Sequence, residues 1–142
     1  MGEKLSCVLF QLPPFVHKNL DLLEKIAAQI DPKVTNVVEF RHESWWESGV
    51  YEFMRKKGMV FCTVSASELP ETLVKTGPDV YLRFHGKDGW YHHFYPENGL
   101  EEWAEKIKQQ NPRRVFCYFN NDVNANALKN CLTLKKLLEK AT

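Results

Sequence analysis

Five short runs of β-branched, aromatic and aliphatic residues recur along the chain, at residues 6–12, 36–40, 59–64, 80–85 and 115–119. Each is apolar at odd and even positions alike, the pattern of strands covered on both faces, which suits a parallel sheet. Between and after them lie segments with an apolar face at helical spacing. Leu20, Leu23, Ala27 and Ile30 form the first, stopped by Asp31-Pro32, and Trp46, Val50, Phe53 and Met54 the second, stopped by Gly58. Leu100, Trp103, Ala104 and Ile107 form a third, and Ala127, Cys131, Leu134 and Leu138 a fourth after the last strand. The stretch 65–79 carries Pro70, Gly77 and Pro78 and is read as mostly loop, with room for at most a short helical turn.

Strands alternating with crossover helices imply right-handed parallel βαβ units. Periodicity by itself fits an open doubly wound sheet or a section of a barrel equally well. The length of 142 residues suits one domain over residues 1–142, and 44% apolar with 26% charged residues is an ordinary globular balance.

Formal charge is +1, and the pairs Lys56-Lys57, Arg113-Arg114 and Lys135-Lys136 are dispersed among acids, so they read as solvated positions rather than a polybasic face. Four single cysteines without C-x-x-C spacing read as small core residues of a reducing, cytoplasmic setting. The apolar residues 5–12 are too short to span a membrane. Residues 1–6 match a loose myristoylation pattern, but Leu5 and Ser6 are expected to begin a buried strand, so no lipid anchor is assigned.

In parallel α/β proteins, chemistry gathers where strands finish. Here those positions hold Gln11, then Glu39, Arg41 and His42, then Arg83 and His85, then Asn120, Asn121 and Asp122; the third strand ends plainly at Val64-Ser65-Ala66. Glu39 and Arg41 share a strand face, as do Arg83 and His85, and each pair reads as either a structural ion pair or an acid–base group beside an anion clamp. Asp122 suits a helix cap, and so does Ser44. Trp45 begins the second helix beside His42, and the ring-rich loop 90–95, with Tyr95, suits a lid over a pocket. His85, His92 and His93 lack zinc-motif spacing, so no metal ligand is assigned and the cofactor stays unknown.

Taken together, Leu9-Phe10-Gln11-Leu12-Pro13-Pro14, Val38-Glu39-Phe40-Arg41-His42 with Trp45, Tyr81-Leu82-Arg83-Phe84-His85-Gly86 and Tyr118-Phe119-Asn120-Asn121-Asp122 with Ala127 resemble, in order and spacing, the YecE-like family, domain of unknown function 72. The resemblance implies an incomplete (β/α)8 TIM-type barrel whose five parallel strands correspond to strands four to eight. Family members begin with further strands that have no counterpart in this sequence, and they often carry an Asp where Ser65 stands. The resemblance supplies a fold and a pocket, and no reaction.

Three functional readings follow. The first is an enzyme-like rim binding a small anionic, phosphate-bearing ligand, with hydrolysis or lysis as the reaction. Glu39 and His85 are its candidate catalytic groups, and Gln11, Arg41, His42, Trp45, Arg83, Tyr95, Asn120 and Asn121 its candidate substrate contacts. The second is a noncatalytic module that completes its barrel by homo-oligomerisation or with a partner chain supplying strands. The third, nucleic-acid processing, rests only on arginines and aromatic rings near a cleft.

Overall fold

The computed structural model describes residues 5–89 and 91–139. Five strands form one all-parallel sheet in sequential order: β1 (Cys7–Gln11), β2 (Thr35–Glu39), β3 (Met59–Ala66), β4 (Val80–Gly86) and β5 (Val115–Phe119). The order never reverses, as it would in a doubly wound sheet, and the strands curl into a half-barrel. Four helices accompany them: α1 (Leu20–Ala27), α2 (Ser48–Lys57), α3 (Glu97–Gln109) and α4 (Asn126–Glu139).

Side-chain alternation separates the two faces of the sheet. Val38, Phe40, Met59 and Phe61 pack against α1 and α2 through Leu23, Ile26, Val50 and Met54. Val80, Leu82 and Phe84 pack against α3 and α4 through Leu100, Trp103, Ile107 and Leu134. The opposite parity, with Leu9, Val37, Cys62, Tyr81 and Phe116, forms a third apolar cluster on the concave side.

The helices depart from the apolar pattern where polar packing takes over. In α1 Leu20 is exposed and Ile26 is buried instead, the Asn19 side chain caps the first turn by accepting from Leu22 N, and the helix ends at Ala27. Gly58 closes α2 in the left-handed conformation at φ +69°, where a side chain would be strained. Face three is as its spacing predicts. In α4 the expected Cys131 is exposed, and the inward stripe is Asn126, Asn130, Leu134 and Leu137. Asn130 turns inward because its amide bridges the Tyr95 backbone on both sides, accepting from Tyr95 N at 3.2 Å and donating to Tyr95 O at 2.7 Å. That is a polar requirement to which a hydrophobicity pattern is blind.

Two strand expectations also change. Leu5 and Ser6 are exposed and β1 starts at Cys7, so the buried-strand argument against a lipid anchor does not stand; Met1 to Lys4 lie outside the described residues. The edge strands β1 and β5 are only half-buried. The 67–79 connection has no helix, and threonines bind it to β3 instead: Thr63 Oγ1 accepts from Val74 N, and Thr76 Oγ1 accepts from Phe61 N and donates to Met59 O. No helix among the described residues is long and apolar enough to cross a membrane.

Candidate functional site

The concave parity of β1, β2, β4 and β5 carries their terminal polar residues to one rim. Gln11 and Glu39 are register partners on β1 and β2, Arg41 follows two residues later, Arg83 and His85 lie on β4, and Asn120 follows β5 with its N–H bonded to Phe84 O. In a flat sheet β1 and β4 would be about 14 Å apart, three steps of roughly 4.8 Å. Curling toward this face lets Arg83 Nη1 donate to Gln11 Oε1 at 3.0 Å.

Glu39 is the centre of the group and is fully buried. Arg41 Nε donates to its Oε1 at 2.8 Å and Arg83 Nη1 to its Oε2 at 2.6 Å, while His85 Nε2 lies 3.6 Å from Oε1. Arg41 Nη2 also donates to Gln11 Oε1 at 3.1 Å, and Arg83 Nη2 to Asn120 Oδ1 at 3.0 Å. Six residues predicted from strand ends thus form one continuous network. Burial alone would raise the Glu39 pKa, but the adjacent His85 ring and the hydrogen bonds from Arg83 and Arg41 outweigh it and hold the group at about 2. Such a carboxylate stays ionised near neutrality and is poorly matched to proton transfer. Among the described residues two guanidiniums meet this one carboxylate, and both arginine side chains reach the surface, at 18% and 16% exposure.

Three expected ligand contacts, Trp45, Tyr95 and Asn121, are built into the scaffold instead, and a fourth, His42, is half-buried in a local turn. Trp45 is fully buried, stacked on Phe40 at 4.3 Å with its Nε1 donating to Val16 O at 2.9 Å, so no face is left for a ligand. Tyr95 is buried, and its hydroxyl accepts from Gly86 N and donates to Ser65 Oγ, which in turn donates to Glu71. This ties the ends of β3 and β4 together, so Ser65 is not the plain residue its surroundings suggest. Asn121 is buried, with its amide donating to His93 O and Asn130 Oδ1. The bonds of His42 run to Ser44, whose N–H donates to its Nδ1, and its ring stacks on His17 at 3.8 Å. His42 is thus the cap of the turn Glu43–Trp45, while Ser44 Oγ accepts from Lys18 N. Asp122 makes no side-chain capping bond.

Gly86 has φ +114°, and a Cβ there would lie 2.6 Å from Gly89 O and 2.9 Å from His93 Cβ. Only glycine lets the following loop fold back, and Tyr91 N donates to His85 O as it does so. Tyr91 and Phe94 are exposed at that loop; Trp90, part of the expected lid, lies outside the described residues. His93 pairs with Asp88, and no three metal-ligating side chains gather among the described residues.

A second polar cluster was not anticipated. Arg113 and Arg114, read from sequence as solvated, grip the buried Asp79 at the opposite end of the sheet. The only sequence trace of it is that Asp79 stands immediately before a strand.

Comparison with known proteins bears on the fold. A DUF72 protein from Thermotoga maritima superposes with a TM-score of 0.88 at 28% identity, covering 97% of this chain and 59% of that one. A DUF72 protein from Enterococcus faecalis, in two crystal structures, gives TM-scores of 0.84 and 0.85 at 21% and 23% identity, covering 99% and 98% of this chain and 61% and 63% of its own. The chain therefore spans about three fifths of the length of these relatives. No curated protein matches its sequence. The family model described as "Protein of unknown function DUF72" matches residues 1–142, and the chain belongs to that family.

Proposed function

We propose that the rim around Glu39 binds a small phosphate-bearing anion, with Arg41 and Arg83 as the clamp. The observation that supports this is the arrangement of the network: one buried carboxylate fixes two guanidiniums in place, and both reach the surface. Guanidiniums oriented in this way meet an oxyanion with little further loss of side-chain freedom. Gln11 and Asn120 orient the arginines, because both accept from them. Phosphoester hydrolysis or lysis is the reaction class that would suit these residue types, with His85 as the proton carrier.

Calorimetric titration with a panel of phosphorylated metabolites tests the reading. Arg41→Gln removes one guanidinium of the clamp while Arg83 still pairs with Glu39. Affinity is expected to fall at least tenfold, because a hydrogen bond to a charged group contributes roughly 1.5–3 kcal/mol. Unchanged affinity, or no heat from any panel member, would remove the proposal.

A second reading, a module whose barrel is completed by another polypeptide, is supported at β5. This strand is paired on one side only among the described residues, and Val115, Cys117 and Phe119 with Leu134 and Leu138 line an apolar hollow of about 220 Å³. Tyr118 is exposed on the other face. A further parallel strand with its helix would cover both faces. Mixing the chain with a polypeptide matching the uncovered part of the Thermotoga relative should give a one-to-one complex in light scattering and slow alkylation of Cys131 at the hollow by tenfold or more. Unaltered mass and labelling would dismiss this reading.

A further inference from the structure

We infer that the molecule carries a second anion site, at the N-terminal end of the sheet and separate from the rim, suited to a phosphomonoester of metabolite size. A cavity of about 460 Å³ opens there, lined among others by Lys33, Thr35, Val60, Asp79, Arg113 and Arg114. Its volume falls within the roughly 300–1,000 Å³ usual for small-molecule sites.

The polar wall of this cavity is preorganised. Asp79 is 1% exposed and holds both arginines: Arg113 donates to it from Nε and Nη2, each at 3.1 Å, and Arg114 from Nη2 at 2.7 Å. Thr35 Oγ1 donates to Asp79 at 3.0 Å and accepts from Arg114 Nη2 at 2.7 Å, which links the starts of β2, β4 and β5. The Arg114 guanidinium also lies over the Phe116 ring, 5.2 Å from its centroid. Burial would raise the Asp79 pKa, yet the bonds from Arg114, Arg113 and Thr35 hold it well below the usual carboxylate range, so the clamp remains charged.

Three cations against one carboxylate leave two positive charges facing the cavity, and the Lys33 side chain enters no ion pair among the described residues. The C-terminus of α2 at Gly58 also borders it and opposes an anion, but by only about half an elementary charge. The positive excess prevails. Val60 and the neighbouring prolines Pro32 and Pro78 give the cavity an apolar side for the organic part of a phosphomonoester.

The test is a titration of the chain with inorganic phosphate and then AMP, with adenosine as the uncharged control, followed by amide chemical shifts. Saturable shifts at Val34, Thr35 and Gly58, stronger for AMP than for phosphate and absent for adenosine, are expected. Lys33→Gln should weaken binding at least fivefold without altering the melting temperature, and Arg113→Gln at least tenfold. Arg41→Gln at the rim should leave these shifts intact. Shifts confined to Gln11 and Asn120 would overturn this inference while sparing the rim reading. Nonsaturating drift shared with surface lysines such as Lys129 and Lys136 would overturn it as mere screening.

Discussion

Glu39→Ala is expected to destabilise the protein by about 3–5 kcal/mol, the usual cost of stranding the partners of a buried ion pair. The loss should be large because Arg41 and Arg83 would face each other across the vacated carboxylate that both now donate to. For a chain of this size the melting temperature should drop by roughly 10 °C. Urea denaturation of wild type, Glu39→Gln and Glu39→Ala measures it; a cost under about 1 kcal/mol would mean that water already screens the network.

The same residue sets an acid limit. Its folded pKa of about 2 lies below the ordinary 4.5, so the unfolded chain binds the proton first as pH falls. The stabilisation from ionised Glu39 is thus complete above pH 4.5 and is lost as pH falls from there toward 2. A shift of this size corresponds to about 3 kcal/mol, in line with the mutational expectation. The stability gap between wild type and Glu39→Gln should therefore shrink through that window, and a constant gap would contradict the assignment.

Trp45→Ala should have a comparable effect, about 3–5 kcal/mol, as expected for emptying a core site of this volume. Trp45→Phe keeps a ring against Phe40 but deprives Val16 O of its donor, and should cost roughly 1–2 kcal/mol. Because the indole is sealed inside, Trp45→Phe is expected to bind phosphorylated ligands as wild type does under native conditions. A tenfold loss of affinity in a stable Trp45→Phe protein would return this residue to the binding surface.

Tyr95 and Asn121 show why such assignments are hard to make from residue type. Both carry polar groups that a ligand would want, and both sit next to strand ends. The Tyr95 hydroxyl is nevertheless taken up by Ser65 and Gly86 and the Asn121 amide N–H groups by His93 and Asn130, partners nine to thirty residues away. Asn130 illustrates the reverse case: it occupies an inward helical position that an apolar count gives to Cys131.

The amino-acid order by itself determined the five strands, three of the four helical faces in outline, and the shared face and end of the sheet on which Gln11, Glu39, Arg41, Arg83, His85 and Asn120 stand. Those features follow from local periodicity: residues two apart on a strand must share a face, and parallel strands must end on the same side. Only the tertiary structure decided that Trp45 is core, that Asn130 turns inward, and that Arg113 and Arg114 close on Asp79. Each of these depends on partners more than twenty residues away, and whether a polar group is spent or available is a property of those partners rather than of its own neighbourhood in the chain.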